Sequence, residues 1–83
     1  MYTLIYSRKF SRQIKKLESL ARERVLKGLE RIRIRPQEHV KKLVGSPYFK
    51  LRVGNYRVII DMKHDKLLIL ALKVDHRKKI YKK

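Results

Sequence analysis

The chain has 83 residues, of which 24 are Lys or Arg and 7 are Asp or Glu, for a formal charge of +17. That length fits one small domain, which buries only about 60% of the surface its unfolded chain exposes. With no cysteine, disulfides and thiolate metal sites are excluded, and no apolar run approaches the roughly 18 residues of a helical membrane span.

The elements follow in chain order. Met1–Tyr6 (MYTLIY) is a β-branched and aromatic run, read as a first strand. Ser7 is the expected N-cap of a helix in which Phe10, Ile14 and Leu17 recur at helical spacing. Ser19 is expected to interrupt and re-cap the chain. Val25, Leu29 and Ile32 then mark a second helix, with Leu26 broadening its stripe, and Pro36 sets its end near Arg35. From Gln37 to Val44 the chain reads as a polar connector, followed by turn chemistry at Gly45-Ser46-Pro47.

Strand signals fill the rest. Phe49, Leu51 and Val53 alternate with Tyr48, Lys50 and Arg52, and Gly54-Asn55 marks a tight turn. The next strand points Tyr56, Val58, Ile60 and Met62 inward and Arg57, Ile59 and Asp61 outward. Leu67–Val74 is apolar at nearly every residue, as in a central strand, and a basic tail closes the chain. The sum is a single α+β domain over 1–83, β-α-α-β-β-β, with a curled antiparallel sheet and a helical hairpin packed on one face.

The charge pattern points to function. A polyanionic partner fits so basic a chain, whereas heat adaptation generally brings Glu along with Lys. The strand alternation sets Lys50, Arg52 and Arg57 on one sheet face, where hairpin neighbours stand about 5 Å apart. Arg77 and Tyr81 follow the last strand, within reach of that face. Cations so grouped hold a phosphodiester and stabilise the charge that builds on it as it becomes pentacoordinate. Tyr48 is a stacking candidate, and Tyr81 either stacks on a base or accepts a proton. Lys73 and His76 extend the RNA-binding set, His76 also being an acid–base candidate. Lys9, Lys15, Arg22, Arg24 and Arg31 read as solvated helix faces. His39, His64 and His76 are scattered, so neither a metal site nor a cofactor is indicated. The absence of cysteine and of a signal-peptide core fits a cytoplasmic protein.

At LRVGNYRVII (Leu51–Ile60) and ALKVDHRKKIY (Ala71–Tyr81) the chain resembles the RelE/ParE superfamily of prokaryotic toxins. The opening strand and the SRKFSRQIKKL helix (Ser7–Leu17) extend the likeness along nearly the whole chain. The resemblance implies a ribosome-dependent endoribonuclease of RelE type that cuts mRNA in the decoding site without a metal. In that chemistry the 2′-hydroxyl attacks the adjacent phosphate and leaves a 2′,3′-cyclic phosphate and a 5′-hydroxyl. Lys50, Arg57, Arg77 and Tyr81 match the family's catalytic positions, while Tyr48 stands where a second lysine is common. The resemblance also implies a RelB-type antitoxin as partner, and operator DNA contacted only through that antitoxin. A ParE-like gyrase poison and a non-catalytic RNA-binding module are the competing readings.

Overall fold

The computed structural model describes residues 1–76. Nine elements follow one another: β1 (Thr3–Tyr6), α1 (Arg8–Lys15), α2 (Ser19–Arg31), a 3-10 turn at Pro36–Glu38, β2 (Lys41–Lys42), β3 (Phe49–Val53), β4 (Tyr56–Lys63), a 3-10 turn at His64–Lys66, and β5 (Leu68–His76). They build the expected α+β domain. The sheet order is β1-β5-β4-β3-β2.

Two features depart from the expected sheet. The pairs joining β2 to β5 are antiparallel, but β1 lies parallel to β5. Parallel neighbours need a long crossover, and here everything from α1 to β4 lies between the two strands. The second departure is β2, two residues inside the presumed connector, too short for alternation to reveal.

The helices also differ in detail. Ser7 caps α1 as expected, its Oγ accepting from the Phe10 N–H at 3.0 Å. Ser19 is not a cap: it is the first residue of α2, and Glu18 before it makes no side-chain cap bond. The second helix stops at Arg31, earlier than Pro36 alone would dictate. The chain then leaves α2 with Tyr2 N–H donating to Arg33 C=O at 2.8 Å and Arg33 Nε donating to Tyr2 C=O at 2.9 Å, which ties the helix exit to the start of β1.

One core fills the space between helices and sheet. Phe10 and Ile14 from α1 meet Val25, Leu29 and Ile32 from the α2 segment, over Leu51, Val58, Ile60, Ile69 and Val74 of the sheet. Apart from Ile69 and Val74, these are the inward positions that alternation and helical spacing predict. Gly28 allows α2 to lie close to β3, for a Cβ there would stand 3.0 Å from Val53 Cγ2. At the β3–β4 turn, Gly54 has φ 57°, a left-handed conformation that favours glycine.

A bulge in β5 decides what the second half of that strand presents. Ile59 pairs with Lys73 but Ile60 pairs with Ala71, so Leu72 is an extra residue. Ala71 and Val74 are both buried, and Leu72 and Lys73 lie between them. Without the extra residue, Lys73 would point into the core. β1 ends opposite Ala71, and α1 takes over beyond it along the same edge of β5. Ser7 Oγ donates to Leu72 C=O at 2.8 Å, and Gln13 Oε1 accepts from the Val74 N–H at 2.8 Å. Replacing Gln13 by Ala strands that partly buried N–H, and a loss of about 1–3 kcal/mol is expected in urea denaturation. An unchanged midpoint would show that water replaces the side chain.

Candidate functional site: a cationic sheet face

The inner side chains of the sheet are apolar, so period-2 alternation sends the strand cations to the outer face together. The register then sets them in rows. One row runs Lys41, Lys50, Ile59, Lys73 across β2, β3, β4 and β5. The next runs Arg52, Arg57, Asp75. Lys50 and Arg57 are therefore diagonal neighbours, about 7–8 Å apart at the backbone.

Two of these cross-strand pairs match like with like: Lys41 with Lys50, and Arg52 with Arg57. Such pairs destabilise a sheet. Asp75, opposite Arg57, is the one carboxylate in these rows, and it also faces Lys73 Nζ at 3.6 Å. Arg57 carries a further deficit: its Nε is buried and has no hydrogen-bond partner among the described residues. Arg22 Nε shares that condition, but the Arg22 guanidinium already donates to Leu17 C=O at 3.1 Å. An arrangement of this kind is relieved by an anion that accepts from the guanidinium.

Beside the rows lies a groove of about 400 Å³. Arg57, Lys73 and Lys9 bring charge to it, and Tyr48, Leu43 and Leu72 bring apolar surface. The β2–β3 hairpin fixes Tyr48 at its rim. There the Tyr48 C=O accepts from the Leu43 N–H at 3.0 Å, and its own N–H donates to Ser46 Oγ at 3.1 Å. Cations next to an open ring and aliphatic walls suit a phosphate with its attached base.

The structure gathers Tyr48, Arg57 and Lys73 at this groove, with Lys50 and Arg52 on the same face. Lys50 and Arg52 line a neighbouring hollow of about 190 Å³ with His39 and Lys41. His76 is not brought to that face. It pairs with Tyr56 on the inner side, ring against ring at 4.8 Å and near-perpendicular, because the bulge shifts the alternation. Arg77 and Tyr81 lie outside the described residues. Sequence reading missed Lys9, which looks like any solvated helix lysine, and Lys41, which stands in a strand too short to show a period.

Substituting Arg52 by Gln removes the repulsion across from Arg57. The fold is expected to gain a few tenths to about 1 kcal/mol in thermal or urea denaturation, while affinity for a single-stranded RNA falls. A loss of stability would mean that Arg52 serves the fold rather than a ligand.

The profile of the family described as ParE toxin of type II toxin-antitoxin system, parDE, matches residues 4–81. The chain therefore belongs to this toxin family. No curated protein matches it. Among solved structures, a RelBE-type toxin–antitoxin complex from Mycobacterium tuberculosis is similar with a TM-score of 0.85 and 24% identity, covering 92% of this chain and 98% of that one. The intact E. coli RelBE complex gives 0.80 and 23%, covering 92% and 96%. The RelB-RelE antitoxin-toxin complex from Methanococcus jannaschii gives 0.72 and 28%, covering 93% and 94%.

Proposed function

We propose that this member of the ParE toxin family is a ribosome-dependent endoribonuclease that cleaves mRNA in the decoding site and halts translation in the cytoplasm. The observation that carries the reading is the outer face itself. Arg57, with an unsatisfied buried Nε, stands next to Arg52 and diagonal to Lys50, at a groove rimmed by Tyr48. Grouped cations beside an aromatic rim suit an RNA phosphate and its attached base.

In this reading the 2′-oxygen of one nucleotide forms a bond to the adjacent phosphorus, and the bond from phosphorus to the 5′-oxygen breaks. The 2′-hydroxyl proton leaves to a base, and the departing 5′-oxygen gains one. Arg57 and Lys50 clamp the phosphate and stabilise its extra negative charge. Arg77 supports the transition state or the leaving group, and Tyr81 is the base or the stacking group. Arg52, Tyr48 and Lys73 hold the flanking RNA, and Lys9 joins them from α1.

The protein partner in this reading is a RelB-type antitoxin, acidic enough to neutralise part of the +17 charge. The complexes named above each pair a RelE toxin with RelB. Operator DNA is contacted through that antitoxin.

A second reading has a specific support: the matching family is that of ParE. A ParE-like gyrase poison would act by binding, with no use for the Arg57 cluster.

The two separate in one experiment. A defined mRNA on programmed ribosomes is mapped by primer extension, with free mRNA as control and a gyrase supercoiling assay alongside. Cuts confined to ribosomes are expected, slowed about 10²–10³-fold by Arg57→Ala and reduced by Tyr81→Phe. Intact mRNA together with inhibited supercoiling would replace this reading with the other.

A further inference from the structure

A second crowd of cations flanks α2, away from the outer face. Arg24, Lys27 and Arg31 are exposed and fall at i, i+3 and i+7, one stripe of the helix. With Arg52 and His39 they line a groove of about 400 Å³ between α2 and the β3–β4 hairpin. No carboxylate lines it. Glu23 does reach Lys27 from the neighbouring turn at 3.2 Å, both side chains being well exposed.

This groove is continuous with the outer face. His39 and Arg52 also line the hollow that holds Lys41 and Lys50. Cations therefore run from Arg24 along α2, over the β2–β3 edge at Arg52, to Lys50 and its diagonal neighbour Arg57.

The floor tells what kind of partner fits. Ile32 and Leu51 beneath the groove are buried, at 0% and 6% exposure. They offer no apolar anchor, which leaves the half-buried Val53 as the one large apolar side chain of the lining open to contact. A protein partner binds mainly through a cluster of such anchors. The opposite flank of α2 differs: there Arg22 and Lys27 stand with the carboxylates Glu23 and Glu30, beside Leu26 and the Tyr6 ring. A phosphate backbone needs charge without anchors. It also tolerates the spacing here, since three and four helical residues advance about 4.5 and 6 Å.

We propose that the α2 flank is a backbone track for the RNA strand whose scissile bond lies on the outer face, gripping it several nucleotides from that bond. The proposal rests on reading the outer face as an RNA site. The track explains cations that otherwise only add to self-repulsion.

The test compares lengths of an uncleavable 2′-O-methyl RNA. Stacked nucleotides advance about 3.4 Å each, so about eleven span the 37 Å molecule. One oligonucleotide of about four residues fills only the outer face, and one of about fourteen reaches α2. The variant is Arg24→Gln/Lys27→Gln/Arg31→Gln. The control, Arg12→Gln/Lys15→Gln/Lys16→Gln on α1, removes equal charge. Melting by circular dichroism verifies both folds.

The α2 variant is expected to lose about tenfold or more in affinity for the long RNA and to keep its affinity for the short one within about twofold. Three lost contacts at about 0.7 each lower the salt slope for the long RNA by about 2. Equal losses at both lengths, or in the α1 control, would reduce the effect to diffuse charge and overturn the track. So would a loss confined to vacant ribosomes, which assigns the flank to ribosomal RNA. Because binding is read without cleavage, a failure of the nuclease reading shows up separately, in the primer-extension assay.

Discussion

Cation faces cation across the outer side of this sheet, Arg52 against Arg57 and Lys41 against Lys50. Nothing local favours that pairing. It is imposed from the other side, where Leu51, Val58 and Val74 must all point into the core. Moving any strand by one residue would lift the repulsion and expose that strand's whole apolar set. Each buried aliphatic is worth about 1.5–3 kcal/mol, against about 1 kcal/mol or less for an exposed like-charge pair. The core therefore wins, and among the described residues Asp75 is the one carboxylate set against these rows of cations.

The bulge at Leu72 completes this arrangement. It turns Lys73 and Asp75 outward while leaving Val74 in the core. A bulge at a bare edge would strand backbone groups, yet here α1 lies where β1 has run out. Ser7 and Gln13 satisfy Leu72 and Val74 with side chains. The same placement carries Lys9 to the groove. One helix thus caps an irregular edge and contributes a cation to the site.

Much of this was legible from residue order. The inward set Phe10, Ile14, Val25, Leu29, Leu51, Val58 and Ile60 follows from helical spacing and strand alternation, and so does the outward set Lys50, Arg52 and Arg57. The parallel docking of β1 was not legible, because a six-residue run carries no information about its partner. The bulge was equally hidden: in a strand apolar at almost every residue, alternation has nothing to lose register against. The sequence named His76 as an RNA-binding and acid–base candidate without giving it a sheet face, and its edge-on contact with Tyr56 places it with the core-facing residues. Lys9 and Lys41 needed the tertiary structure, since each reaches the site by where its element lies.

The two flanks of α2 differ in what they offer a partner. One flank offers Arg24, Lys27 and Arg31 over a largely buried floor; the other offers Leu26 and Tyr6, with Glu23 and Glu30 beside Arg22 and Lys27. A polyanion gains from the first and finds carboxylates on the second. A folded protein chain gains from the second, where apolar contact adds to charge. If a neutralising protein seats there, Lys27 is the side chain it would share with RNA, since Lys27 borders both grooves. Inhibition would then require the partner to extend from its anchor to the outer face. The strength of that inhibition would follow from tethering, through the effective concentration of the extended segment, rather than from the affinity of the segment alone.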